Sequence, residues 1–204
     1  MRYAIFLLLI ALGVGPISAQ VVCSVEDSVH FKTKIKELKS IRARHLGDSI
    51  VTIGKTFLGT PYLEKTLEVG ETEQLVINLR GLDCTTFVEN VMAFGKLVKS
   101  ETYAIDNFTN TLQTIRYRDG VLNGYPSRLH YFTEWIRNNA QKGLVKDITI
   151  ELGGEIVSKP INFMGTHRKL YPFLASDENH EAILAVEAEL AKKKLCILPQ
   201  EIIM

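Results

Sequence analysis

Apolar residues recur along this chain at helical spacing over most of its length and alternate with polar ones only in short stretches. Phe31, Ile35 and Leu38 sit among basic positions, and Leu46, Ile50, Ile53 and Phe57 continue the three-and-four step. This spacing predicts two helices between Ser28 and Leu58. Gly59-Thr60-Pro61 ends the second, because proline cannot donate to a helix and restricts the residue before it. Residues 62–82 read as a polar connection with one short strand at Leu75–Leu79. Next comes the best-specified helix, in which Cys84, Phe87, Val88, Val91, Gly95 and Val98 share one stripe. Either Thr86-x-x-Glu89 or Asp83 supplies its cap.

Further helices are predicted over about residues 106–118, from Arg128 to Asn139 and from Glu178 to Lys193. Asp119-Gly120 ends the first, and Ser127 in the turn Gly124-Tyr125-Pro126-Ser127 caps the second. Asp147–Leu152 and Glu155–Ile161 alternate around Gly153-Gly154, which predicts a β-hairpin. Helices first, a hairpin late and then a helix make the expected class α+β. There is no internal repeat and no low-complexity segment.

The first 19 residues stand apart from this pattern. Arg2, an apolar run from Ala4 to Val14, the breaker Gly15-Pro16 and the small residues Ser18-Ala19 describe a secretory signal with cleavage near Ala19–Gln20. The run falls short of the roughly 20 apolar residues of a membrane span. Residues 20–204 then form one domain. Of 24 basic residues Arg2 leaves with the signal, so the remainder balances the 23 acidic ones. That neutrality argues against nucleic acid or an anionic membrane as partner. Lys192-Lys193-Lys194 reads as a solvated helix end. Cys23, Cys84 and Cys196 are an odd number, so at least one thiol is unpaired; a Cys23–Cys196 bridge would leave Cys84 free. The cysteines and histidines are too scattered for a metal site, no phosphate-binding loop is present, and no cofactor is expected.

Cys84 is the chemical focus. Polar Asp83 and the pair Thr85-Thr86 surround it at a helix start, where backbone N–H groups and the helix dipole favour a thiolate. A thiolate attacks acyl carbons. The competing reading is a buried structural cysteine on an apolar stripe.

Gly59-Thr60-Pro61-Tyr62 followed by Asp83-Cys84-Thr85-Thr86-Phe87-Val88 resembles the NlpC-type papain-like cell-wall cysteine hydrolases, where a Gly-x-Pro-Tyr turn precedes an Asp-Cys helix start. The run Gly81 to Glu89, with Ser127-Arg128-Leu129-His130-Tyr131-Phe132-x-x-Trp135 and Asn162-Phe163-Met164-x-x-His167, resembles a narrower family of that clan, the N-acetylmuramoyl-L-alanine amidase-like proteins. The resemblance implies a papain-like NlpC-type α+β fold, represented mainly by its helical half with a β-hairpin. It implies a periplasmic or secreted bacterial hydrolase whose partners are peptidoglycan fragments or muropeptides. Cys84 would attack the amide between N-acetylmuramic acid and L-alanine and form a thioester. Tyr62, Asp83, Arg128, His130 and His167 are the expected substrate-binding residues, with Arg128 as a carboxylate anchor. In the clan a strand-borne histidine in a small C-terminal β-barrel is the base, and no His-Val/Ile-Gly element follows Cys84 here. The expectation is therefore a chain truncated in its barrel, and the alternative function is an inactive peptidoglycan-binding remnant. His30, His45 and His180 read as surface residues.

Overall fold

The computed structural model describes residues 21–41 and 46–202; the leader at residues 1–19 and His45 lie outside the described residues. In chain order the elements are β1 (Val21–Cys23), α1 (Val25–Leu38), α2 (Leu46–Lys55), β2 (Leu75–Ile77), α3 (Cys84–Ser100) and α4 (Ile105–Arg116). They continue with α5 (Phe132–Gln141), β3 (Glu155–Val157), α6 (Phe163–Thr166), α7 (Asp177–Ala191) and β4 (Leu195–Ile197), with short 3-10 turns between. The fold is a helix-rich α+β arrangement without a closed barrel among the described residues. β1 pairs with β2 in parallel, Val22 opposite Val76, and β3 pairs with β4 antiparallel, Ile156 opposite Cys196.

Both early helices form where the apolar spacing predicts them. Ser24 caps α1 by accepting from the Asp27 N–H. The Asp27 carboxylate then turns inward, accepts from the Leu79 N–H (2.9 Å) and pairs with Arg80 (3.2 Å). That bond fastens α1 to the chain leaving β2. Phe31, Phe94 and Phe108 form the centre of the core, with the rings of Phe94 and Phe108 4.5 Å apart.

The inner face of α3 differs from the predicted stripe. Val91 and Gly95 of that stripe are buried together with Asn90, Ala93, Phe94 and Leu97, and Val88 and Val98 pack at the core's edge, whereas Cys84 and Phe87 are exposed. α3 packs against α2 on one side and α4 on the other, and their two contact lines turn the helix away from the predicted seam. Glu89 is no cap. Its carboxylate accepts from Arg116 Nε (2.7 Å) and from Trp135 Nε1 (3.2 Å), while Arg116 Nη1 donates to the Val76 carbonyl (2.7 Å). α3, α4, α5 and β2 thus meet at one buried ion pair.

Two further expectations are corrected. The predicted helix from Arg128 begins only at Phe132. Ser127 spends its hydroxyl on its own turn, donating to the Gly124 carbonyl (2.6 Å) and accepting from the Asn123 N–H (2.9 Å). Arg128 is left extended and bridged to Tyr117. The predicted hairpin is also absent: residues 149–153 are turns, and β3 takes β4 as its partner. The last helix agrees with prediction to within two residues at each end. All three cysteines are free thiols, Cys23 and Cys196 lying in different sheets.

A smaller cluster of Tyr125, Met164, Leu174 and Ile183 lies beside the main core. Among the described residues no helix is long and apolar enough to cross a membrane. Nor does any group of three or more His, Cys, Asp or Glu side chains form a metal site among them.

Candidate active site

Cys84 is the first residue of α3, and Asp83 is its N-cap. The Thr86 N–H donates to Asp83 Oδ1 (2.7 Å), and the Asp83 N–H donates back to Thr86 Oγ1 (2.9 Å). This reciprocal capping box fixes the direction in which α3 starts and so fixes the Cys84 side chain at its rim. The N–H groups of a first helical turn have no carbonyl inside the helix to bond, and their dipoles favour negative charge. The thiol is exposed, with Thr85 Oγ1 as polar neighbour at 4.0 Å. The buried-cysteine reading is thereby excluded.

The Gly59-Thr60-Pro61-Tyr62 turn is latched onto this helix start. The Leu82 N–H donates to the Pro61 carbonyl (3.0 Å), and the Leu63 N–H donates to the Leu82 carbonyl (3.2 Å). Tyr62 bridges Leu82 in parallel. Gly81 permits the approach, since a β-carbon there would stand 2.8 Å from Leu63 Cβ. Gly59 turns the chain at a φ of +85°, a region that disfavours side chains. Two motifs some twenty residues apart thus become walls of one pocket.

That pocket has a volume of about 230 Å³ and is lined by Phe57, Thr60, Tyr62, Leu82, Asp83, Cys84 and Phe87. Phe57 and Phe87 meet edge to face, 6.0 Å apart, and form its apolar side. Tyr62 is 72% exposed, with its ring free to cover a ligand. Phe87 also borders an apolar groove of about 370 Å³ between α2 and α3. Of the residues expected at the site, Tyr62, Asp83 and Cys84 come together. Sequence reasoning missed Phe57, Thr60 and Phe87. Phe57 and Phe87 gave only core-type signals, while Thr60 lay inside a motif already noted.

The other expected residues gather elsewhere. Arg128 is buried, 3.5 Å from Glu73 and 3.6 Å from Glu68, with its guanidinium 4.9 Å from the Tyr125 ring centre. Tyr117 donates to Glu73 (2.7 Å), and burial raises the Glu73 pKa against the opposing pull of Arg128. The His130 ring packs tilted against that of Tyr125, 4.3 Å away, and its Nε2 donates to the Tyr125 carbonyl (2.9 Å). Desolvation and the Arg128 charge hold its pKa well below the usual histidine range, so the ring is neutral. His167 stacks on Phe163 at 4.1 Å and bonds the Phe163 carbonyl through Nδ1 (2.9 Å). His180 is half-buried rather than exposed, with Nε2 on the Gly165 carbonyl (3.1 Å). His30 is exposed on α1. Nothing in the polar connection marked Glu68 and Glu73 as partners of Arg128; their partnership comes from tertiary contact.

A family model described as N-acetylmuramoyl-L-alanine amidase-like matches residues 52–204. Among solved structures, one described as an N-acetylmuramoyl-L-alanine amidase from Bacteroides uniformis is 37% identical, with a TM-score of 0.71 over 76% of this chain. Another, from Bacteroides fragilis and described only as a candidate xylanase, is 40% identical with a TM-score of 0.67 over 72% of the chain. The matches cover 65% of each of those two proteins, so the chain spans less than two thirds of their length. A Legionella pneumophila protein at 20% identity and a TM-score of 0.55, covering 83% of this chain and 61% of its own length, shares the fold. No curated protein matches the chain.

Proposed function

The chain belongs to the N-acetylmuramoyl-L-alanine amidase-like family, and from that premise we propose that it acts on muropeptides outside the cytoplasm, cleaving the amide between N-acetylmuramic acid and L-alanine. The observation that carries this reading is the exposed thiol of Cys84 at the start of α3, beside Tyr62 in an open pocket.

In the proposed reaction a base takes the Cys84 proton and the thiolate adds to the lactyl carbonyl. The backbone N–H of Cys84 stabilises the oxyanion. The intermediate collapses to a thioester, expelling the amino group of L-alanine, which takes up a proton. Water then attacks the thioester, releases the muramic carboxylate and returns the thiol. The papain-like NlpC-type geometry belongs to this proposal, as does a leader at residues 1–19 directing export to the periplasm or beyond. Tyr62 and Asp83 are the substrate contacts nearest the nucleophile. Arg128, His130 and His167 would act through the second cluster and the α6 turn.

Incubation with a muramoyl-L-alanyl peptide tests the reading by mass spectrometry. The expected result is release of free L-alanyl peptide by the unaltered protein and none by Cys84→Ala. Equal cleavage by the alanine variant would overturn the assignment. A second reading, muropeptide binding without turnover, is favoured by one observation. His130, His167 and His180 bond the carbonyls of Tyr125, Phe163 and Gly165 rather than Cys84. Saturable binding by the unaltered protein with no product would select it.

A further inference from the structure

Between α5 and α7 lies a cavity of about 420 Å³ that does not include Cys84. Arg118, Arg137 and Lys193 face Asp119, Glu134 and Glu189 in its lining, and Val186 and Leu190 are apolar parts of it. Three buried atoms of these lining side chains have no hydrogen-bond partner: Arg118 Nη2, Arg137 Nη1 and Glu134 Oε2. Each side chain is otherwise engaged. Arg118 Nε donates to Glu134 Oε1 (2.7 Å), Arg118 Nη1 donates to the Pro126 carbonyl (3.0 Å), and Arg137 Nη2 donates to the Lys194 carbonyl.

A buried polar atom left unpaired is costly, and native proteins satisfy nearly all of them. Three at one cavity, two donors and one acceptor, are groups that a bound zwitterion would satisfy. The charge of Arg118 is matched by Glu134, whereas Arg137 bonds a neutral carbonyl. The charges of the lining balance, which suits a zwitterion, and Arg137 Nη1 is the donor that its anionic group would meet. A donor on the same ligand finds Glu134 Oε2. The volume lies in the range of small-molecule sites.

We propose that the α5–α7 cleft binds an aliphatic α-amino acid, with its carboxylate on Arg137, its ammonium on Glu134 and its side chain against Val186 and Leu190. Bidentate capacity suits Arg137 to a carboxylate. The inference is independent of the amidase reading, because the cleft shares no residue with the Cys84 pocket.

Nuclear magnetic resonance titration of the whole chain with leucine, N-acetylleucine and leucinamide tests it. Leucine is expected to shift the amides of α5 and α7 saturably. Removing its ammonium or its carboxylate should weaken binding at least about tenfold, as loss of a charge-assisted bond does. Arg137→Gln should weaken leucine binding by a similar factor. No saturable shift up to about 50 mM leucine, an affinity already too weak to be specific, would overturn the proposal. So would leucinamide binding as well as leucine. The analogue comparison uses the unaltered chain and so decides the matter even where the variant does not fold.

Discussion

Asp83 before α3 does what its neighbours in sequence suggest, whereas Glu89 within the helix does not. Asp83 caps the helix through Thr86, so Asp83→Ala should cost about 1 kcal/mol, measured as a lowered urea midpoint. Asparagine caps as well as aspartate. Asp83→Asn should therefore keep the midpoint, and a fall in muropeptide turnover in that variant would assign the carboxylate a role at the substrate. Unchanged turnover would leave it a cap alone. Glu89 sits three residues after Thr86 in a capping-box pattern, yet it is buried on Arg116 and Trp135. Glu89→Ala strands a buried guanidinium and should cost about 3–5 kcal/mol in denaturant unfolding. A loss below about 1 kcal/mol, typical of an exposed pair, would contradict the burial. The difference was not legible in the chain, because the partner lies 27 residues away in α4.

At the scale of elements, legibility followed the range of the interaction. α1, α2 and α7 are set by local periodicity, with Ser24 and Ser176 capping the first and the last, so the sequence pattern located them to within about three residues at each end. β3 was legible as a strand while its partner was not, since β4 joins it across the whole of α6 and α7. The start of α5 was misplaced because Ser127 had two local uses and its turn took the hydroxyl. α4 and α5 are joined at their ends by Lys142, whose ammonium donates to the Thr114 carbonyl (2.5 Å) and the Tyr117 carbonyl (3.1 Å). Desolvation lowers its pKa from 10.5 to about 8, outweighing the pull of Asp119 and Glu89. The folded chain thus loses this proton at lower pH than the unfolded chain, which binds more protons between the two values. Stability from this group rises with pH across that window. Above it, Tyr117 and Tyr125, held neutral by burial, begin to oppose the trend. The melting temperature of the unaltered chain should gain on that of Lys142→Met between about pH 7.5 and about pH 9.5. Parallel pH profiles would remove Lys142 from the clamp.

On the scale of the whole molecule, the two hydrophobic clusters divide the work. The large one, around Phe94, holds α1 to α5 together and seats Cys84 at its edge. The small one holds α6 and α7 beside the Tyr125 turn. A polar junction at Glu187 organises it: Glu187 Oε1 accepts from Tyr131 (2.5 Å) and from the Gly165 N–H (2.8 Å), while the Met164 N–H donates to the Tyr131 hydroxyl (2.9 Å). Sequence patterning identified α7 but not this junction, for a glutamate on a helix face reads as solvated. Gly165 is where the junction is tightest. A β-carbon there would stand 2.5 Å from Leu184 Cδ2 and collide with Glu187, whose carboxylate is already held. Gly165→Ala should therefore push α6 off α7 and cost about 1–3 kcal/mol, the usual scale of overpacking. Because the clusters are separate, amide exchange should quicken in α6 and α7 while α3 and α4 keep their protection. Uniform loss of protection across both clusters would mean that they unfold as one unit, and the seat of Cys84 would then depend on the α6–α7 junction as well.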